Sequence, residues 1–284
     1  MPPAEPGAVV LVATPIGNLG DISARASETL AAADVICCED TRHTRALLSA
    51  LGIRGAGRLV SLHQHNESAR LADVLGWVAG GRTVAVVSDA GTPGISDPGA
   101  LLVAAAAAAG LPVRVVPGAS SVVAALVVSG LPTERYCVEG FLPRSGPARR
   151  ARLASIGADE RTTVLLEAPR RLADTLADLL GACGNRAVAI ARELTKVHEE
   201  VWRGRLADAV AHFSSGDVRG EIVVVIAGAA PSPPASDDEV AVAVAARLAE
   251  GAGVGQAATD VAAELGVARR RAYQVALDLR ATTD

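Results

Sequence analysis

The chain has 284 residues, half of them hydrophobic and a fifth charged, which leaves room for two cored domains and a small appendage and excludes a disordered chain. Aromatic residues make up only 2%, so the cores must be built from Val, Leu, Ile and Ala, and a platform of exposed rings for stacking bases is disfavoured. A net charge of −4 excludes a global positive field, so any contact with nucleic acid must come from local basic clusters.

The opening residues 1–7 carry neither a basic start nor an apolar run, so no secretory signal and a cytoplasmic location are expected. An apolar run at 9–13 stops at Thr14-Pro15 and reads as a strand entering a loop; helical spacing follows at 23–33. A second buried strand, 35–38, ends abruptly in Glu39-Asp40-Thr41-Arg42. Its Cys37 and Cys38 point to opposite faces. With Cys137 and Cys183 they form no CxxC pair, so four reduced thiols are expected. Residues 59–62 form another short strand before the polar 63–67, and the β-branched run 83–87 leads into a Gly- and Pro-rich loop. An alanine-rich helix, 98–109, ends at Gly110; a strand at 113–116 and a further helix opened by 117–121 follow. The uncharged stretch 115–133 has the length of a bilayer span, but Pro117, Gly118, Pro132 and three serines interrupt it, and a buried helix fits better. Alternating strands and helices with short connections predict a mostly parallel α/β domain over 1–130.

A second α/β domain is expected over 131–230, with strands at 137–141, 163–167, 187–191 and 221–227 and a helix at 171–180. No acid occurs between Glu139 and Asp159, whereas Arg144, Arg149, Arg150 and Arg152 all fall there, making a basic patch. Residues 231–238 read as a linker, and 239–284 as a helical domain broken at 251–255 and 266. Residues 256–265, Gly266-Val267 and 268–279 have helix-turn-helix spacing, with Arg269, Arg270 and Arg271 opening the second helix against its dipole, as phosphate contacts would.

Four loops fall at the carboxyl ends of expected strands, where open α/β sheets bind ligands. The most informative is 88–99, whose three glycines and two prolines fix an unusual path while two aspartates and several hydroxyls offer acceptors for an amino group or a ribose. The first loop is not GxGxxG and no GxxxxGK[ST] occurs, so a nicotinamide site and a P-loop are disfavoured. Glu39-Asp40-Thr41-Arg42 is either a helix start or the site's own lining, with Arg42 meeting a phosphate. His63 and His65 are spaced as a possible metal pair, but no third ligand stands near them and no metal is expected.

Six motifs in order carry a resemblance: LVATPIGNLGDIS (11–23), CEDTR (38–42), SDAGTPGISDPG (88–99), PGASS (117–121), EAPRR (167–171) and ARELTK (191–196). Together they resemble the ribosomal RNA small subunit methyltransferase I family, a branch of the tetrapyrrole methylase-like, class III methyltransferases. The resemblance implies two α/β domains with S-adenosylmethionine in the cleft between them, a homodimer, and 2′-O-methylation of a cytidine in the decoding region of small-subunit RNA, free or in the assembled subunit. It also implies that the donor touches the loop holding Asp89, Gly91 and Thr92, the pair Ser120 and Ser121, the chain at Ala168, Leu194 and Thr195, and Gly220 and Glu221. Pro15 and Ile16 would flank the cleft. The first loop lacks the GxGxGD form of tetrapyrrole-modifying relatives, and Arg170 stands where this branch often has histidine.

Methyl transfer from a sulfonium needs an in-line hydroxyl that loses its proton, so a base or a charge on the forming alkoxide helps. Candidates are Glu39, Asp40, Arg42 and Lys196, the last acting as a base only if its pKa is lowered. Two rival readings are a class III enzyme for a tetrapyrrole or other small acceptor, and a helix-turn-helix DNA-binding regulator that would bind no methyl donor.

Overall fold

The computed structural model describes residues 7–54, 58–214, 218–230 and 235–281. The expected signal-free opening (residues 1–6), the linker's 231–234 and the tail's 282–284 lie outside the described residues. The chain divides into two compact units, Met1–Ala229 and Ala230–Asp284.

The first unit holds two five-stranded sheets. In one, β1 (Ala8–Val12), β2 (Val35–Cys38), β3 (Leu59–Ser61), β4 (Thr83–Val87) and β5 (Val113–Val116) lie in the order β3-β2-β4-β1-β5. All of its pairings are parallel. Helices α1 (Ala24–Ala32), α2 (Thr41–Ala50), α3 (Glu67–Ala79), α4 (Ala100–Ala108) and α5 (Ser121–Ser129) complete this half. Helices on both faces explain the unbroken apolar strands: Val10, Val12, Ala85 and Val87 enter one core cluster, Val9, Val84 and Val86 the other. Cys38 and Cys37 divide between the same two clusters, as their adjacency on a strand requires.

The other sheet, β6 (Tyr136–Phe141), β7 (Thr162–Glu167), β8 (Ala187–Arg192), β9 (Glu200–Arg205) and β10 (Ile222–Ile226), has the order β6-β7-β10-β8-β9. Only β6 and β7 pair in parallel; the remaining pairings are antiparallel. Alternate residues of β10 serve two cores. Ile222, Val224 and Ile226 meet α6 (Gly146–Ala158), α7 (Leu172–Cys183) and α8 (Leu206–Phe213) on one face. Val223 and Val225 pack with Val122, Ala125 and Leu126 of α5 on the other. The uncharged helix of the first half is therefore buried against the second sheet, binding the halves into one body. No described helix is long and apolar enough to cross a membrane.

The second unit contains α9 (Asp237–Ala249), α10 (Val254–Leu265) and α11 (Arg269–Ala281), packed around Val240, Val244, Ala258, Val261, Ala272 and Ala276. Ser236 and Glu239 form a reciprocal capping box, so α9 starts at Asp237 inside the expected linker. Gly266 takes the left-handed conformation (φ 63°) that ends α10 before α11.

Candidate active site

Strand direction brings distant motifs together. The first sheet is parallel, so β1, β2, β4 and β5 all end on one rim and deliver the loops after Ala13, Cys38, Val87 and Val116 there. In the second sheet the antiparallel register pairs Ile222 with both Glu167 and Arg192. That pairing gathers the end of β7, the end of β8 and the start of β10. The two rims enclose a pocket of about 360 Å³ lined by Asp89, Gly91, Thr92, Asp97, Ser120, Ser121, Phe141, Ala168, Gly220 and Glu221. A smaller opening of about 290 Å³ holds Pro15, Ile16, Gly17 and Lys196 and shares Asp89, Ala90 and Glu221 with it.

The loops are fixed to one another before any ligand arrives. Thr14 and Gly91 exchange backbone hydrogen bonds of 2.9 and 3.1 Å, and Thr92 Oγ1 donates to the Ala119 carbonyl at 3.2 Å. Gly91 (φ 83°) and Gly99 (φ 126°) sit where a side chain would be strained, and Ser96 accepts that strain at φ 64°. Buried Glu67 anchors the far end of this loop: its Oε1 accepts from Gly99 N and Leu102 N, both at 3.0 Å, at the start of α4. Asp89 is held from the other side, its Oδ1 by Asp40 N and its Oδ2 by His43 Nδ1, each at 3.1 Å.

Carboxylates dominate the electrostatics. Burial and the neighbouring Glu39 push Asp97 up to about 6, with Asp89 and Glu221 adding to the rise and a Ser88 hydrogen bond opposing it. Glu39 is itself raised, first by burial and then by Asp89. Burial pulls Lys196 down, but its hydrogen bond to Glu193 and the charge of Glu221 outweigh this and leave it above the ordinary lysine value. Its Nζ lies 2.8 Å from Glu193 and 3.3 Å from Glu221. Lys196 is thus a fixed cation bracing the β8 and β10 loops, and the lowered pKa that a role as base required is not what this setting produces.

Several other expectations are corrected. Asp40 accepts from Arg42 N at 2.7 Å as the N-cap of α2, and its carboxylate takes the exposed Arg42 guanidinium at 2.6 Å. That pairing holds Asp40 far below the usual carboxylate range, so it cannot accept a proton near neutrality, and the Arg42 guanidinium is paired with it at the surface. The helix-start reading of this motif holds. Leu194 is a core residue behind the pocket. Thr195 Oγ1 is buried without a hydrogen-bond partner, close to where a Gly17 side chain would begin.

The arginines divide. Arg149 is buried on α6, where it donates to Asp178 (2.7 Å), the Pro143 carbonyl (3.0 Å) and Thr175 Oγ1 (2.9 Å). Thr175 in turn donates to Glu167 at 2.6 Å. Arg149 is thus part of the core and not of a basic surface. Arg152 is occupied by Glu139 at 2.7 Å. Arg144 and Arg150 remain open to solvent and line a groove of about 1040 Å³ with Arg170 and Arg171. In the second unit Arg269 bonds Thr259 Oγ1 and Arg271 pairs with Asp237 at 2.6 Å, so Arg270 alone of that cluster has no partner among the described residues. Sequence reasoning counted Asp97 among the polar acceptors of 88–99 without singling it out as a proton acceptor, and it missed Glu67 and His43 as positioning groups. The double aspartate of 88–99 was the available signal for Asp97; nothing local marks Glu67 as buried.

Residues 8–210 match the model of the tetrapyrrole (corrin/porphyrin) methylases. Similar relatives include the ribosomal RNA small subunit methyltransferase I of Mycobacterium tuberculosis, 50% identical over 98% of this chain and 97% of that protein. The protein of the same name from Synechocystis sp. is 45% identical over 97% of this chain and 99% of its own length. Among solved structures, uroporphyrin-III-C-methyltransferase from Thermus thermophilus superposes with a TM-score of 0.56 at 25% identity, covering 77% of this chain and 94% of that one. A conserved hypothetical protein from Aeropyrum pernix covers 98% of both chains with a TM-score of 0.60 at 20% identity, a likeness of fold. Motifs, fold and near full-length relatives agree: the chain belongs to the tetrapyrrole methylase family and, within it, to the ribosomal RNA small subunit methyltransferase I family.

Proposed function

We propose that this protein transfers a methyl group from S-adenosylmethionine to the 2′-hydroxyl of a cytidine in the decoding region of small-subunit ribosomal RNA, in the cytoplasm. The observation that carries the reading is the pocket between the two rims, which opens through Phe141 and Ala168 onto an arginine-lined groove. The pocket suits such a donor: about 360 Å³ is within the usual range for small-ligand sites, and carboxylates beside it oppose a sulfonium charge. The unpartnered Thr195 hydroxyl is a further polar atom that a ligand would satisfy. Asp89, Gly91, Thr92, Ser120, Ser121, Ala168, Gly220 and Glu221 would hold the donor, with Pro15 and Ile16 flanking it and Leu194 and Thr195 behind. When bound, the donor supplies an electrophilic methyl group.

The chain's own task is to position the ribose and take its proton. Asp97 is the acceptor in this reading, because it faces the pocket and its pKa of about 6 leaves it ionised yet basic at neutral pH. Glu39 serves by raising Asp97, and Lys196 by holding Glu193 and Glu221 in place. A homodimer belongs to the same reading: Val115 on edge strand β5 and Val123 and Val127 on α5 expose apolar surface for it, and sedimentation measures it directly. Arg270 offers the helical unit a phosphate contact.

The test uses small ribosomal subunits from cells lacking this protein, the purified full chain and methyl-labelled donor. The expected product is one labelled nucleotide whose 3′ phosphodiester resists alkali, as a blocked 2′-oxygen requires. An alkali-labile label would mean base methylation, and label found only in a tetrapyrrole would overturn the acceptor.

A further inference from the structure

Beside the donor pocket, β6, α6 and the turn after β7 enclose the groove of about 1040 Å³. We propose that Arg144, Arg150 and Arg170 make this groove a phosphodiester site, gripping the RNA strand next to the ribose that enters the pocket. The proposal rests on the RNA reading above and adds the place and the residues.

Commitment separates these three cations from their neighbours. Arg149 is spent on Asp178, Pro143 and Thr175, Arg152 on Glu139, and Arg171 on Glu167 and the Leu142 carbonyl. Arg144, Arg150 and Arg170 have no ion-pair or hydrogen-bond partner among the described residues. The groove's carboxylates are Asp174 and Asp178, and the second is already taken by Arg149. Three free guanidiniums therefore face one free carboxylate. Guanidinium forks match the paired oxygens of a phosphodiester and stay charged at any physiological pH.

A second, independent feature points to the same ligand. The start of α6 at Gly146 opens on the groove, receives no side-chain cap and has no acidic residue in its first turn. The free N–H groups of such an end favour an anion, and no described side chain caps it. Continuity gives the orientation. Phe141 and Ala168 belong to both groove and pocket, so a strand lying along the arginines passes the pocket mouth.

The experiment follows the full-length protein binding a short fluorescein-labelled single-stranded RNA by anisotropy across a salt series. Each phosphate contact contributes about 0.7 to the log–log salt slope for single strands, so the triple variant R144Q/R150Q/R170Q loses about 2 from the slope. It binds on the order of tenfold or more weaker at low salt. R150Q alone loses about 0.7 and covers the case in which the triple variant folds poorly. R152Q removes the same charge from the same helix outside the groove and leaves the slope unchanged. Donor affinity by calorimetry stays unchanged in all of them. An unaltered slope in R150Q and the triple variant, an equal loss in R152Q, or competition by polyglutamate as effective as by RNA each overturns the site. Because binding is read without turnover, a protein that grips RNA through these arginines but methylates none would leave the groove standing and refute the substrate reading alone.

Discussion

Replacing Glu67 by Ala tests whether a single buried carboxylate fixes the most important loop of the pocket. Its Oε1 accepts two backbone N–H groups, Gly99 and Leu102, each at 3.0 Å, and the residue is 4% exposed. Water cannot readily replace the oxygen there, so each donor left unpaired costs about 1–3 kcal/mol, or about 2–6 kcal/mol for the pair. Glu67→Gln keeps an acceptor oxygen but loses the charge at the α4 N-terminus, worth up to about 2 kcal/mol. The expected order of stability is wild type, then Gln, then Ala. Both tryptophans of the chain, Trp77 and Trp202, lie in the Met1–Ala229 unit, so fluorescence-monitored urea unfolding reports this unit without interference from the helical one. Donor affinity by calorimetry should fall together with stability, because Gly99 ends the loop that carries Asp89, Thr92 and Asp97. A Glu67→Ala protein within about 0.5 kcal/mol of wild type would refute the anchoring argument, since that is the size of an ordinary surface substitution.

Further outcomes follow from the same geometry. With Asp97 as proton acceptor, kcat/KM for methylation rises with pH through about 6 and levels off above it, and Asp97→Asn flattens this limb while lowering the plateau. The stability effect has the opposite sense: a carboxyl raised in the folded state binds its proton more tightly than in the unfolded chain, so stability falls as pH rises from about 4 to about 6. Discounted for its partial exposure, the Asn variant gains about 1 kcal/mol at pH 8 and nothing at pH 3, measured by thermal unfolding. Arg149→Ala loses about 2 kcal/mol through the hydrogen bonds that a buried guanidinium makes to Asp178, Thr175 and the Pro143 carbonyl, while its RNA salt slope is unchanged. Gly220→Ala would place a Cβ 2.4 Å from the Glu193 side chain at φ 88°, displacing the oxygen that holds Glu221 N and Lys196. Donor affinity is expected to drop about tenfold, with about 1–2 kcal/mol of strain from the left-handed backbone.

The strands of the first sheet are legible because both faces are buried, which turns them into unbroken apolar runs with turn residues at each end. The loops after them are legible for the same reason: Gly, Pro and acids crowd abruptly behind Val12, Cys38, Val87 and Val116. What sequence hides is burial of polar groups. Arg149 falls in an acid-free run and reads as surface charge, yet it shares a helical face with Leu153 and Ile156, all three buried. That i, i+4, i+7 spacing was present in the sequence and outweighs the charge. Glu67 gives no comparable signal, because its partners Gly99 and Leu102 lie some thirty residues away. The antiparallel second sheet is likewise silent: β9 is a partly exposed edge strand with mixed polarity, and β10 is as apolar as any parallel strand. Glu39-Asp40-Thr41-Arg42 is a helix start, with Asp40 capping α2, and it also borders the site through Asp40 N on Asp89; sequence offered these two readings as alternatives.

The division of charge bears on how a chain of net charge −4 could handle RNA. Asp89, Asp97 and Glu221 line the pocket, with Glu39 close enough to raise Asp97, and a phosphate brought among them would meet like charge in a half-buried setting. In this proposal the strand's backbone is therefore repelled from the place where the ribose reacts, while the groove beyond Phe141 attracts it. On the proposed reading, these opposed fields leave one favourable arrangement, with phosphates on the arginines and a single nucleoside turned toward the carboxylates. Register on the RNA would then be set as much by what the pocket rejects as by what the groove holds.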